Sequence, residues 1–138
     1  MKLKLDKTTK MLLGAIALGL FLMSHKVFAD KASPSCNEAL RMEEELNKTY
    51  PQKVDNFTEI VQLSVNCDTS VIKYTKRILA YDSDLAKGWR IRKQRQHNQL
   101  HCNNQGLASK GGWTAMDVLF DKDYKNLVTL KTSPSDCK

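Results

Sequence analysis

Four cysteines and two neighbouring histidines are the residues of this chain best suited to chemistry. Cys36, Cys67, Cys102 and Cys137 are widely separated and contain no C-x-x-C pair, the spacing a structural zinc site favours. An even count in a small exported domain reads as two disulfides. Three pairings are open, and the favoured one joins Cys36 to Cys67 and Cys102 to Cys137. Each bond then closes a loop of about 30–35 residues, worth roughly 3–4 kcal/mol in the chain-entropy model. His97 and His101 stand at i, i+4 and share a helical face, a spacing that can begin a zinc site. No acidic residue follows His97 to make H-E-x-x-H, and an oxidised Cys102 is neither a ligand nor a nucleophile. No metal and no cofactor is therefore expected.

The carboxylates are similarly restrained. Asp82/Asp84 and Asp121/Asp123 are spaced as pairs that could serve glycoside hydrolysis or calcium. Both sit among turn residues, where Asp is favoured for local hydrogen bonds. Gly106 and Gly111-Gly112 are not followed by G-K-[ST], so no phosphate loop is present. The one concentrated charge is Arg90-x-Arg92-Lys93-x-Arg95. It could meet an acidic partner helix, an anionic membrane surface or a polyanion, and these four residues are the expected partner-binding positions. No set of nucleophile, base and oxyanion donor assembles. The residues predict a binding module and not an enzyme.

The oxidising compartment that disulfides require is argued by the N-terminus. Lys2, Lys4, Lys7 and Lys10 precede an apolar run from Met11 to Met23, and Val27-Phe28-Ala29 closes in small-x-small before Asp30. That layout predicts a secretory signal peptide over 1–29. The apolar run is short of the roughly 20 residues of an ordinary membrane span, so no integral membrane segment is expected after signal removal. Residues 30–138 are read as one exported domain, periplasmic and with extracellular release left open. Of 22 basic and 15 acidic residues, five and one fall in the signal, leaving 17 against 14. A net of +3 gives no reason to expect nucleic acid.

Period and punctuation then place the elements. Ser35-x-x-Glu38 is a capping box opening a helix from Cys36 to about Lys48, with Pro51 beyond its end. Phe57–Asn66 and Val71–Tyr81 alternate, around the turn Cys67-Asp68-Thr69-Ser70, as a hairpin. Asp82 or Ser83 caps a second helix from Asp84 to His101. Trp113–Phe120 and Leu127–Thr132 are further strands about the turn at 121–126. The order α-β-β-α-β-β predicts an α+β fold, a four-stranded antiparallel sheet with two helices on one face.

Leu100-His101-Cys102-Asn103-Asn104, Gly112-Trp113, Phe120-Asp121-x-Asp123 and Ser135-Asp136-Cys137 together resemble the beta-type pilotins of type II secretion. These are small disulfide-linked periplasmic α+β proteins that bind the C-terminal segment of a secretin. The resemblance covers the C-terminal half. Asp30 stands where such lipoproteins carry their lipid-bearing Cys, and Cys36 and Cys67 are additions to the pattern. It implies a non-enzymatic periplasmic accessory protein. Its partner would be an outer-membrane secretin or a type IV pilus-assembly component, gripped in a groove between a helix and the sheet. Trp89 and Trp113 are candidate anchors there. The competing expectation is a periplasmic immunity or inhibitor protein that blocks a toxin or lytic enzyme.

Overall fold

A computed structural model describes residues 34–138; the expected signal peptide, 1–29, lies outside the described residues. The first helix, α1, spans Cys36–Asn47. Its capping box forms as the sequence predicts. The Glu38 backbone N–H donates to Ser35 Oγ at 3.2 Å, and the Ser35 N–H donates to Glu38 Oε2 at 3.3 Å. The strands are β1 (Gln52–Lys53), β2 (Thr58–Asn66), β3 (Val71–Ile78), β4 (Thr114–Phe120) and β5 (Asn126–Thr132). The second helix, α2, spans Trp89–His101.

Three expectations need correction. The sheet has five strands, in the order β1-β2-β3-β4-β5, where four were expected. β1 is two residues long, too short for an alternating pattern to reveal it. The element order is accordingly α-β-β-β-α-β-β. The sheet is also mixed. β3 and β4 run parallel while every other pair is antiparallel. The crossover through α2 returns the chain to the end of the sheet from which β3 began, and a parallel neighbour requires such a crossover. Finally, α2 starts at Trp89 rather than Asp84. Asp82–Asp84 forms a separate 3₁₀ turn, and the N-cap is Gly88, whose φ of 76° suits glycine. The cap is a backbone bend, so the expected Asp82 or Ser83 cap is not used.

Both helices cover the same face. The register aligns Leu63, Tyr74, Asp117 and Leu130 in one row, and Val65, Ile72, Ala115 and Thr132 in the next. α1 brings Ala39, Met42 and Leu46 onto Ile60, Leu63, Ile72 and Tyr74. α2 lies over β5, with His97 Nδ1 and Thr132 Oγ1 at 2.7 Å. Between α2 and β4, Leu107 and Trp113 complete the core; Trp113 is a core residue rather than a surface anchor. Gly106 is required by close approach, since a Cβ there would meet the His101 carbonyl oxygen at 2.0 Å. Two disulfides staple the assembly in the favoured pairing. Cys36–Cys67 ties α1 to the end of β2, and Cys102–Cys137 ties the end of α2 to the chain terminus.

The stretch of β2 beyond its short pairing with β1, and the outer side of β5, do not present bare edges. On β2, Leu63 donates its N–H to Asn47 Oδ1 at 2.8 Å and accepts from Asn47 Nδ2 at 2.9 Å. Val65 donates to Glu43 Oε2 at 3.0 Å. On β5, Gln94 accepts from the Lys131 N–H at 3.4 Å and donates to its carbonyl at 2.9 Å, while Arg90 Nε donates to the Leu127 carbonyl at 3.1 Å. Helix side chains thus take the place of the next strand, a recognised protection against edge pairing. Asn47→Ala removes both bonds to Leu63 and is expected to cost about 1–3 kcal/mol, read as a lower denaturant midpoint with an unchanged slope.

Candidate functional site: the cleft between α2 and the sheet

One turn of α-helix takes about 3.6 residues, so successive side chains rotate by about 100°. The buried stripe of α2 runs through His97 and His101. Trp89, Lys93, Gln96 and Leu100, spaced four, three and four apart, form a stripe beside it. That second stripe lines a cleft over β3 and β4.

The cleft has two cavities that share Lys93. The larger, about 270 Å³, is bounded by Phe57, Ile78, Leu85, Trp89 and Leu119, with Asp55, Thr58 and Lys93 at its margins. The smaller, about 160 Å³, is bounded by Lys93, Gln96, His97, Leu100, Asp117 and Leu130. Phe57 is 66% exposed and stands as a lip at the turn before β2. Trp89 is oriented by its indole N–H, which donates to Asp82 Oδ1 at 3.0 Å. The facing Arg90, and after it this Trp89 bond, hold the Asp82 carboxyl below its usual range.

Beneath the cleft lies a polar network. Lys76 Nζ donates to Asp117 Oδ2 at 2.7 Å, with the two side chains 19% and 11% exposed. Burial alone would raise the Asp117 carboxyl; the facing His97 ring and the Lys76 ammonium outweigh it and hold the group well below the usual carboxylate range. The Thr132 hydroxyl donates to Asn98 Oδ1 at 2.7 Å. Its oxygen also lies 2.7 Å from His97 Nδ1. Among the described residues His97 Nε2 has no hydrogen-bond partner, and it faces Asp117 Oδ1 at 3.9 Å. Gln94 Nε2 donates to Asn98 Oδ1 at 2.8 Å and links the network to the capped β5 edge. Nearby, burial raises Tyr50 to about 12 and pushes Tyr74 higher still, so both phenols stay neutral.

The four expected partner-binding residues are dispersed by the helical rotation. Arg90 turns to the β5 edge, stacks 4.6 Å from the Trp89 ring and pairs with Asp82 at 3.0 Å. Arg92 folds back to donate to the Lys87 carbonyl at 2.9 Å. Arg95 points to solvent. Lys93 alone of the four lines the cleft. The histidine pair is buried with ring centroids 4.5 Å apart, and Cys102 is oxidised. Asp121 accepts from the N–H groups of Asp123 and Lys125 at 2.8 and 2.9 Å; Asp84 accepts from Tyr81 at 3.0 Å. These are turn contacts of the expected kind.

Sequence reasoning missed Phe57, Lys76 and Asp117. A signal for the last two was present. Lys76 falls on the apolar face of the β3 alternation, and Asp117 on that of β4. Two opposite charges on two inward faces point to a buried pair.

No protein-family model matches the chain, and no curated protein matches it by sequence. Solved structures do resemble it. A protein from Pseudomonas aeruginosa inferred to be secreted superposes with a TM-score of 0.60 at 12% identity, covering 75% of this chain and 92% of its own. The pilotin of the Vibrio vulnificus type 2 secretion system, EpsS, superposes with a TM-score of 0.52 at 9% identity, covering 84% and 96%. The chain therefore has a pilotin-like α+β fold, stapled by two disulfides. Disulfides and these neighbours fit a location outside the cytoplasm. Among the described residues no helix is long and apolar enough to cross a membrane.

Proposed function

We propose that this protein is a non-enzymatic periplasmic accessory factor of a secretion or type IV pilus machine. It holds a segment of a secretin or another pilus-assembly partner in the α2 cleft and aids that partner's stability or assembly. The observation that carries the reading is the cleft itself, an apolar cavity of about 270 Å³ with Lys93 at its margin, in a pilotin-like fold. The cavity is smaller than the ~300–1,000 Å³ typical of sites that enclose a whole small-molecule ligand. It suits an anchoring side chain from a longer segment. The covered edges of β2 and β5 disfavour strand addition and favour side-chain docking in the cleft.

The test is capture of a secretin from detergent extracts of the native host by the immobilised exported chain. A parallel assay measures heat-resistant secretin multimers in a deletion strain. Capture is expected, with Lys93→Glu weakening it by about tenfold, the loss of roughly 1.4 kcal/mol. Multimers should fall in the deletion strain. No secretin in the capture and unchanged multimers would overturn the reading.

A further inference from the structure

The sheet face turned away from both helices has an order of its own. Register sets three rows across it: Lys73, Met116 and Lys131; Thr75, Val118 and Thr129; Arg77, Phe120 and Asn126. β4 thus lays Met116, Val118 and Phe120 along the middle as a half-buried apolar ridge, with Lys73 and Lys131 on either side. Lys53 joins this face opposite Glu59. Glu59 is the one acid among the strand residues there, and it lies 3.8 Å from Arg77. Lys53, Lys73 and Lys131 form no ion pair among the described residues. Lys131 acts weakly on Asp136, whose carboxyl is held low chiefly by Ser133.

A solvated surface normally intersperses both signs of charge, and parallel strands such as β3 and β4 are usually covered on both faces. Among the described residues this face has one dominant sign, an apolar ridge and no covering element. We propose that it docks on an anionic phospholipid surface. Met116, Val118 and Phe120 settle against the headgroup layer, while Lys53, Lys73 and Lys131 meet lipid phosphates. An open sheet face suits a surface better than a peptide segment, which needs a pocket or a free strand edge. The cavities open on the helix side, and helix side chains cover the outer edges of β2 and β5. Each basic residue near an anionic membrane adds about fivefold in affinity, so three free lysines give reversible attachment. The attachment is independent of the cleft, which faces the other way, and a partner segment can be held while the sheet rests on the membrane.

The experiment is co-sedimentation of the exported chain with vesicles of mixed phosphatidylglycerol and phosphatidylcholine, and with pure phosphatidylcholine. Binding is expected to the anionic vesicles alone and to fall as salt rises. Lys73→Glu with Lys131→Glu should lower it about 30-fold or more. Lys53→Glu should lower it less, and Lys93→Glu in the cleft should leave it unchanged. Circular dichroism checks that each variant folds. Absence of binding to anionic vesicles, equal binding by the double reversal, or an equal loss with Lys93→Glu would overturn the proposal. So would capture of an acidic protein, without vesicle binding, that the double reversal abolishes.

Discussion

Asp117→Ala is expected to be among the most damaging single substitutions in this protein, costing about 3–5 kcal/mol. The reason lies in what it leaves behind. Lys76 is held 2.7 Å from the Asp117 carboxylate with its side chain 19% exposed. Removing the acid strands a largely desolvated ammonium, and His97 loses the group its Nε2 faces. The pair itself is a different quantity. Its Coulomb energy is offset by the desolvation of both ions, so Lys76→Met combined with Asp117→Leu is expected to cost far less than Asp117→Ala alone. Urea unfolding of the single and double variants separates the two statements. Similar losses from both would mean that packing, not charge, holds this site.

The same pair gives the fold a pH dependence. The folded-state Asp117 carboxyl is lowered, so its contribution is fully present above the ordinary Asp range near 4. It is lost progressively as pH falls below that range, because the unfolded chain takes up the proton first. Wild-type stability should therefore decline from about pH 5 downward. The double replacement should decline less over the same interval. Parallel pH profiles of the two proteins would refute the assignment.

The disulfides carry the second large effect. Their sequence separations are 31 and 35, and each such loop is worth about 3.7 kcal/mol in the chain-entropy model. Cys36→Ser with Cys67→Ser should therefore lower stability by roughly 3–4 kcal/mol and leave a folded protein with α1 less firmly held. Removing both bonds withdraws about 7 kcal/mol, comparable with the whole stability of a typical domain. Full reduction is expected to unfold the chain at 37 °C, visible as loss of far-ultraviolet dichroism. A loss below about 1 kcal/mol from one pair would mean that the reduced chain is already compact.

Much of the fold is legible in the residues because its causes are local. Ser35 and Glu38 specify where α1 begins, three positions apart. Alternation across Thr114–Phe120 specifies a strand and its inward face, whereas in β2 a bulge between Ile60 and Gln62 breaks the alternation and buries both Ile60 and Leu63. The even cysteine count predicts two disulfides and leaves three pairings open; the structure has the favoured one. The candidate site was less legible. Arg90, Arg92, Lys93 and Arg95 form a block in the sequence, yet rotation by about 100° per residue sends them in different directions. Asp82 and the Leu127 carbonyl then claim Arg90. Phe57 reads as the start of a strand, and only its place beside Trp89 and Leu85 makes it the lip of a cleft.

By itself the sequence determined the helix start at Ser35, the alternation of β4 and the expectation of two disulfides. Only the tertiary structure decided that β3 and β4 run parallel, that β1 adds a fifth strand, and that Lys76 meets Asp117 across 41 residues. The reason is physical. Two-residue alternation tells which face a side chain takes, but it is the same read in either direction along the chain. The pairing of distant strands is set by how the α2 crossover packs back on the sheet. The cleft, the buried ion pair and the three rows on the open face all depend on that choice.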